Sequence, residues 1–218
     1  MMQTRIIDPS NVRDLGEQLL ESDGSLKVVP SSTLRDTSIE ERAIFGLKNG
    51  IYGFLTTELI EYLKDFIGAR KAIEIGAGHG KLAQALGIAA TDNRMQERPE
   101  IAAYYALLRQ PVVKYGSNVE KLDAIEAVKK HKPQVVVASW VTHKYDASRH
   151  AAGGNEDGVK EEDVIGGCDA YVFIGNTKVH ANKSIWSLPH KLITPEWLYS
   201  RAHNGSKDFI AIWEKPWK

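Results

Sequence analysis

An apolar run that breaks on three closely spaced glycines constrains this chain more than any other feature: Ala72-Ile73-Glu74-Ile75-Gly76-Ala77-Gly78-His79-Gly80. A segment of helical pattern begins at Lys81, and Ile88-Ala89-Ala90-Thr91-Asp92 follows as a second apolar run that ends on a carboxylate. Strand, glycine turn, helix, strand, acid is how a parallel α/β sheet builds a nucleoside pocket. Glycine has no Cβ and reaches positive φ at little cost, so the backbone passes close to a ligand there. An acid at the tip of the second strand accepts hydrogen bonds from both ribose hydroxyls. Gly80 to Asp92 leaves room for about two helical turns between the strands.

Spacing separates two nucleoside ligands. A dinucleotide site wants Gly-x-Gly-x-x-Gly, with a helix N-terminus facing a pyrophosphate. Here Gly80 comes one residue early, and Lys81 stands where that pattern needs glycine. The Gly-x-Gly-x-Gly form with Glu74 two residues before Gly76 resembles motif I of class I S-adenosylmethionine (SAM) dependent methyltransferases. The resemblance implies that Glu74, Gly76, Ala77, Gly78 and Gly80 accommodate the methionine part of SAM and that Asp92 holds its ribose. A tight strand–helix turn in any α/β protein is the plainer reading of the same glycines.

Along the chain, Asp8-Pro9-Ser10 is positioned to start a helix with Val12, Leu15, Leu19 and Leu20 on one face, closed by Asp23-Gly24. A polar stretch from Ser31 to Glu41 follows. Residues 1–53 are expected as a helical N-terminal extension packing on the core, and 54–218 as the cofactor-binding domain. Thr56 or Thr57 caps a helix through Phe66 with Leu59, Ile60, Leu63 and Ile67 as its buried stripe, and Gly68 closes it. Glu100 to Leu108 reads as a helix, Val112-Val113-Lys114-Tyr115 as a third strand, and Val119 to Lys130 as an amphipathic helix with a cationic C-terminal end. Gln134 to Ala138 is a continuous apolar strand of the kind covered on both faces by helices. Tyr171 to Gly175 is a fifth strand, Ile193-Thr194-Pro195 a short sixth segment, and Asp208 to Glu214 a final edge strand. This series resembles the methyltransferase sheet, so the fold class expected is α/β: a doubly wound, mostly parallel seven-stranded sheet with an antiparallel last strand.

Ligands of open α/β sheets sit beyond the carboxyl ends of the strands. After the expected third strand come Asn118 and Val119, which the resemblance assigns to adenine, and either Ser117 or Asn118 also suits a helix cap. After the fourth come Ser139-Trp140-Val141-Thr142-His143-Lys144-Tyr145, from which methyltransferases address the acceptor. Ser139 is assigned to the cofactor side and Trp140 to an acceptor pocket, with Asn176 and His180 from after the fifth strand. His143 is the candidate general base, because an unperturbed histidine titrates near neutral pH, and Tyr145 stands beside it. His143, His150 and His180 show no ligand spacing, so no metal is expected. Arg149, Lys178 and Lys183 offer a basic rim for an anionic acceptor or an ordinary solvated surface.

Several classes are disfavoured. Lys plus Arg and Asp plus Glu are both 28, so no global pull toward nucleic acid or an anionic membrane is expected. Ala138-Ser139-Trp140-Val141 lacks the Asp/Asn-Pro-Pro-aromatic run of amino-methylating DNA enzymes, and no Pro-Cys nucleophile exists for cytosine carbon. The single cysteine, Cys168, excludes an internal disulfide, suits a reducing cytoplasm and reads as a small buried residue. No apolar run has the length of a membrane span, and Met1 to Asp8 lacks a signal peptide's apolar core. The sequence therefore points to a cytoplasmic enzyme using SAM on a small-molecule or protein acceptor. A non-catalytic domain kept for assembly and an NAD(P)-dependent oxidoreductase stand as alternatives.

Overall fold

The computed structural model describes residues 12–215, so the expected helix start at Asp8-Pro9-Ser10 lies outside the described residues. After α1 (Gly16–Leu19), the turn at Gly24 has φ +79, and β1 (Val28–Val29) pairs in parallel with β2 (Leu55–Thr56). Between them, the stretch expected as a polar connector is helical: α2 (Ser31–Arg35) and the start of α3 (Ile39–Asn49). Its polar residues are a start signal. Ser38 Oγ accepts from Glu41 N at 3.1 Å and Glu41 Oε2 from Ser38 N at 2.7 Å, a reciprocal capping box. Leu15, Leu34 and Phe45 are buried in one cluster with sheet residues Val135, Val172 and Ile210.

The core then alternates strand and helix. α4 (Thr57–Ile67) is capped by Thr56 Oγ1, which accepts from Leu59 N at 3.2 Å, and it buries the expected stripe. There follow β3 (Ala72–Ile75), α5 (Lys81–Leu86), β4 (Ala89–Asp92), α6 (Pro99–Leu107), β5 (Val119–Lys121), α7 (Ala124–His131), β6 (Val135–Ser139), α8 (Glu161–Gly166) and β7 (Ala170–Asn176). The chain ends on β8 (Lys191–Ile193) and β9 (Asp208–Glu214). Strand order is β5-β4-β3-β6-β7-β9-β8, parallel throughout except for β9, which is antiparallel to both neighbours. This is a Rossmann-like α/β fold with seven strands, as expected. Successive residues along the strands feed opposite layers. Val135, Val137 and Val172 face α4 and the extension, while Val136, Ala138, Tyr171 and Phe173 face α7 and α8.

Two expectations need correction. Val112–Tyr115 is not a strand; Val113 N donates instead to Gln96 Oε1 at 2.8 Å. The third strand is Val119–Lys121, paired with Ala90–Asp92. Its helix starts only at Ala124, because Asp123 Oδ1 accepts from Ile125 N (2.8 Å) and Glu126 N (2.9 Å). The final strand is also no edge. Phe209 to Trp213 are all buried, because β8 covers the outer side of β9 and both faces carry apolar layers. Cys168 is buried, its Sγ donating to Val164 O at 3.3 Å, and burial pushes the thiol up to about 11.

Phe209 is fully buried, with ring centroids 5.8 Å from Phe173 and 5.3 Å from Trp186. Phe209→Ala is expected to cost about 3–5 kcal/mol in urea denaturation. A cost below about 1 kcal/mol, the range of volume-conserving swaps, would mean that β9 is not part of the core.

Candidate functional site

A cavity of about 430 Å³ lies beyond the carboxyl ends of β3, β4, β5 and β6. Its floor is the turn after β3, where Gly76, Gly78 and Gly80 have φ +58, +53 and +73. The glycines are required by space as well as by φ. A Cβ on Gly76 would stand 2.5 Å from Val141 Cγ1, and one on Gly80 would stand 2.6 Å from Val119 Cγ2. The turn is tied to the neighbouring strand by Ala77 N to Thr91 O (3.0 Å) and Gly78 N to Asp92 Oδ2 (2.9 Å). Asp92 Oδ1 accepts from Arg94 N at 2.7 Å, so backbone donors hold the carboxyl at the cavity wall. Leu122, Asp123 and Ile125, the residues that leave β5 and open α7, continue that wall.

The start of α5 is partly occupied by the protein's own side chains. Of its first three backbone donors, Ala83 N is taken by Glu74 Oε2 (2.8 Å) and Lys81 N by His79 Nδ1 (3.1 Å). Burial pushes the Glu74 carboxyl up to about 8, against the Ala83 N–H that favours its charged form and with Asp92 adding to the rise. Burial, with Lys81 nearby, lowers the His79 imidazole to about 4, so it is neutral at pH 7. Burial also raises Asp92, opposed by the donors at Gly78 and Arg94.

The other end of the cavity is aromatic. Trp140, directly after β6, has φ +60, a left-handed conformation that is an outlier for so bulky a residue. Its N–H donates to Ile174 O at 2.9 Å, and its ring lies 5.9 Å from Tyr52 and 5.1 Å edge-on from His180. Tyr52, Tyr105 and Thr142 line the same end. Lys144, Asn155 and Asp157 from the segment after β6 also line the cavity. Asp157 pairs with Arg98, and its carbonyl accepts from Asn93 Nδ2 at 3.1 Å.

Of the residues singled out from sequence, Glu74, Gly76, Ala77, Gly78, Asp92, Ser139 and Trp140 line this one cavity. The others lie apart from it. Gly80 caps α5, Val119 is buried against it, and Asn118 Nδ2 donates to Gly80 O at 3.1 Å. Leu122 to Ile125 line the cavity where Asn118 and Val119 were expected, because α7 starts later. Asn176 is fully buried and donates to Ser206 O (3.1 Å) and Asp208 Oδ1 (2.9 Å), a knot between strand ends. His180 Nδ1 accepts from Asn176 N at 3.0 Å, which sets the ring behind Trp140. His143 and Tyr145 sit in the loop outside the cavity lining. The Tyr145 hydroxyl meets His150 Nδ1 at 2.9 Å, and burial lowers the His143 imidazole, Lys183 and Arg149 adding to that. Sequence reasoning missed Tyr52, His79 and Tyr105 as lining residues; His79 carried a signal, since it lies inside the glycine turn.

Among the described residues no three His, Cys, Asp or Glu side chains form a metal cluster, and no helix is long and apolar enough to cross a membrane. No family model matches the chain, and no curated protein matches it in sequence. Solved structures of similar fold include a ribosomal protein L11 methylase from Lactobacillus delbrueckii subsp. bulgaricus (15% identity, 73% of this chain and 79% of that one, TM-score 0.37). Others are a magnesium protoporphyrin IX methyltransferase from Synechocystis PCC 6803 with bound SAM (13%, 71% and 78%, 0.36) and a precorrin 8w decarboxylase from Methanobacterium thermoautotrophicum (12%, 72% and 89%, 0.39). At such scores the chemistry of the site rests on its own geometry.

Glu74 makes stability depend on pH. Its carboxyl titrates near 4.5 when unfolded and near 8 when folded, so the stability of the protonated form is present below 4.5 and lost as pH rises through 8. Thermal unfolding of ligand-free wild type and Glu74→Gln is expected to give a gap that widens from pH 5 to pH 8 in favour of the variant. Parallel curves would mean that the buried carboxyl carries no such cost.

Proposed function

We propose that this chain binds SAM on the glycine turn and directs its methyl group to an acceptor held beside Trp140. One observation carries the choice of cofactor: two of the first three donors of α5 are occupied by the protein's own side chains, one of them a buried carboxyl. A dinucleotide needs those donors for its pyrophosphate. SAM has no phosphate and does not need those donors, and its cationic groups suit a cavity walled by the Asp92 carboxyl. The oxidoreductase alternative loses support on the same ground.

The residues present fit the group. Gly76 and Gly78 give backbone clearance, the Asp92 carboxyl is preset by two backbone donors to accept from ribose hydroxyls, and Leu122 and Ile125 offer apolar surface to a base. Bound SAM supplies a methyl group already activated on a sulfonium: the acceptor's lone pair forms the new bond to carbon as the sulfur–carbon bond breaks, and S-adenosylhomocysteine leaves. What the chain contributes is alignment and exclusion of water, which supply much of the rate when the electrophile is preactivated. Ser139 and Trp140 are placed for this, since their segment crosses directly above Gly76. The segment after β6 that lines the cavity is pinned by Asp157 to Arg98 and Asn93. No base is assigned, because an acceptor that enters with a free lone pair needs none. Assembly without catalysis is the second reading, and the intact cofactor cavity disfavours it.

Titration calorimetry with SAM and S-adenosylhomocysteine tests the proposal. Micromolar binding is expected, abolished in Gly78→Val, whose side chain enters at φ +53 with Val113 Cγ1 already 3.4 Å from a Cβ. Asp92→Ala is expected to weaken binding about 10- to 100-fold, the loss of a charge-assisted hydrogen bond. A folded wild type that binds neither compound would sink the enzyme reading.

A further inference from the structure

The acceptor end of the cavity is built around the Trp140 ring. A tryptophan held at φ +60 persists only where its surroundings over-determine it, and such residues cluster at ligand clamps. Here the surroundings are four separate features. The backbone N–H extends the β6–β7 ladder to Ile174 O. His180 stands edge-on to the indole and is itself fixed by Asn176 N and by Phe173, whose ring centroid is 5.0 Å away. Gly175 makes room for His180, since a Cβ there would lie 2.6 Å from its Nδ1. Gly53 makes room for the indole, since a Cβ would lie 3.3 Å from Trp140 Nε1. None of this is needed to bind the cofactor, and a glycine at 140 would remove the strain.

Resting on the methyl-transfer reading, we propose that Trp140 and Tyr52 form a stacking wall for a flat aromatic or heteroaromatic acceptor that is neutral or anionic. Flat rings are recognised by offset or edge contacts with such a wall beyond simple area burial. Charge decides against the other ligand of aromatic walls, an ammonium group. The Arg201 guanidinium already lies 3.7 Å above the Tyr52 ring, and Lys144 and Lys160 line the cavity. The acid on that side, Asp157, is paired with Arg98. Lys160 is paired with Asp163 at 2.8 Å, so an incoming cation would meet the charges of Arg201 and Lys144, whereas a carboxylate or phenolate substituent would be attracted.

The test is calorimetry and saturation-transfer NMR on protein loaded with S-adenosylhomocysteine, using 4-hydroxybenzoate, nicotinate and catechol as flat probes, cyclohexanecarboxylate as the saturated control and phenethylamine as the cationic one. The flat probes are expected to bind at least about tenfold more tightly than either control. Trp140→Gly, which suits φ +60 and so preserves the backbone, and Trp140→Ala should each lose that preference. Trp140→Phe should recover most of it, with S-adenosylhomocysteine affinity kept within about threefold in all three. Equal binding of cyclohexanecarboxylate, tighter binding of phenethylamine, unchanged ring affinity in Trp140→Gly, or no probe binding at all would each overturn the proposal. Should S-adenosylhomocysteine itself fail to bind, the cofactor reading falls separately, and the same contrasts on the free protein decide the stacking wall.

Discussion

Backbone has to pass between the tips of three neighbouring strands at the turn after β3, and the space left for it is narrower than a methyl group. Val141 after β6 closes on Gly76, and Val119 at the start of β5 closes on Gly80. Because the turn is so tightly held, its amides point in fixed directions, and Gly78 N can hold the Asp92 carboxyl at the cavity wall. The position of the acid, the shape of the floor and the approach of the residues after β6 all follow from that clearance.

Burying Glu74 behind the turn is the costly part of this arrangement. A carboxyl shut away from water favours its protonated form, and nothing cationic offsets the burial. In exchange the carboxyl takes up the Ala83 backbone donor at the start of α5. The same residue thus weakens the ligand-free fold near neutral pH. Strain at Trp140 follows a similar logic at the opposite end of the cavity, with local stability given up to aim a side chain.

Lys183 and Glu161 form a buried pair, 2.5 Å apart. Lys183 Nζ also donates to Val141 O at 2.9 Å, and the Tyr171 hydroxyl donates to Glu161 Oε1 at 2.7 Å. The segment that packs on Gly76 is therefore anchored by a buried hydrogen-bonded network. Lys183, which the sequence offered as part of a basic rim, serves inside the protein because Glu161 meets it there.

Local signals carried much of the fold. Glycine spacing, the run at Val135–Ala138 and the cap at Thr56 each act within a few residues, so the parallel core, the turn and Asp92 were legible as a string of letters. Errors fell where two local signals competed. Val112–Tyr115 has strand composition, yet Val119–Lys121 won the place beside β4 once Asp123 had delayed the helix, and that shift puts Leu122 and Ile125 in the cavity wall in place of Asn118 and Val119. By itself the sequence determined a glycine turn at the strand tips of a doubly wound sheet, because clearance and capping are short-range effects. Only the tertiary structure decided which aromatic and titratable side chains share the cavity. Tyr52, Tyr105 and Trp140 come from three distant segments, while His143 and Asn176, equally suggestive in one dimension, lie outside the cavity lining, because which way a side chain faces depends on the packing of elements far apart in the chain.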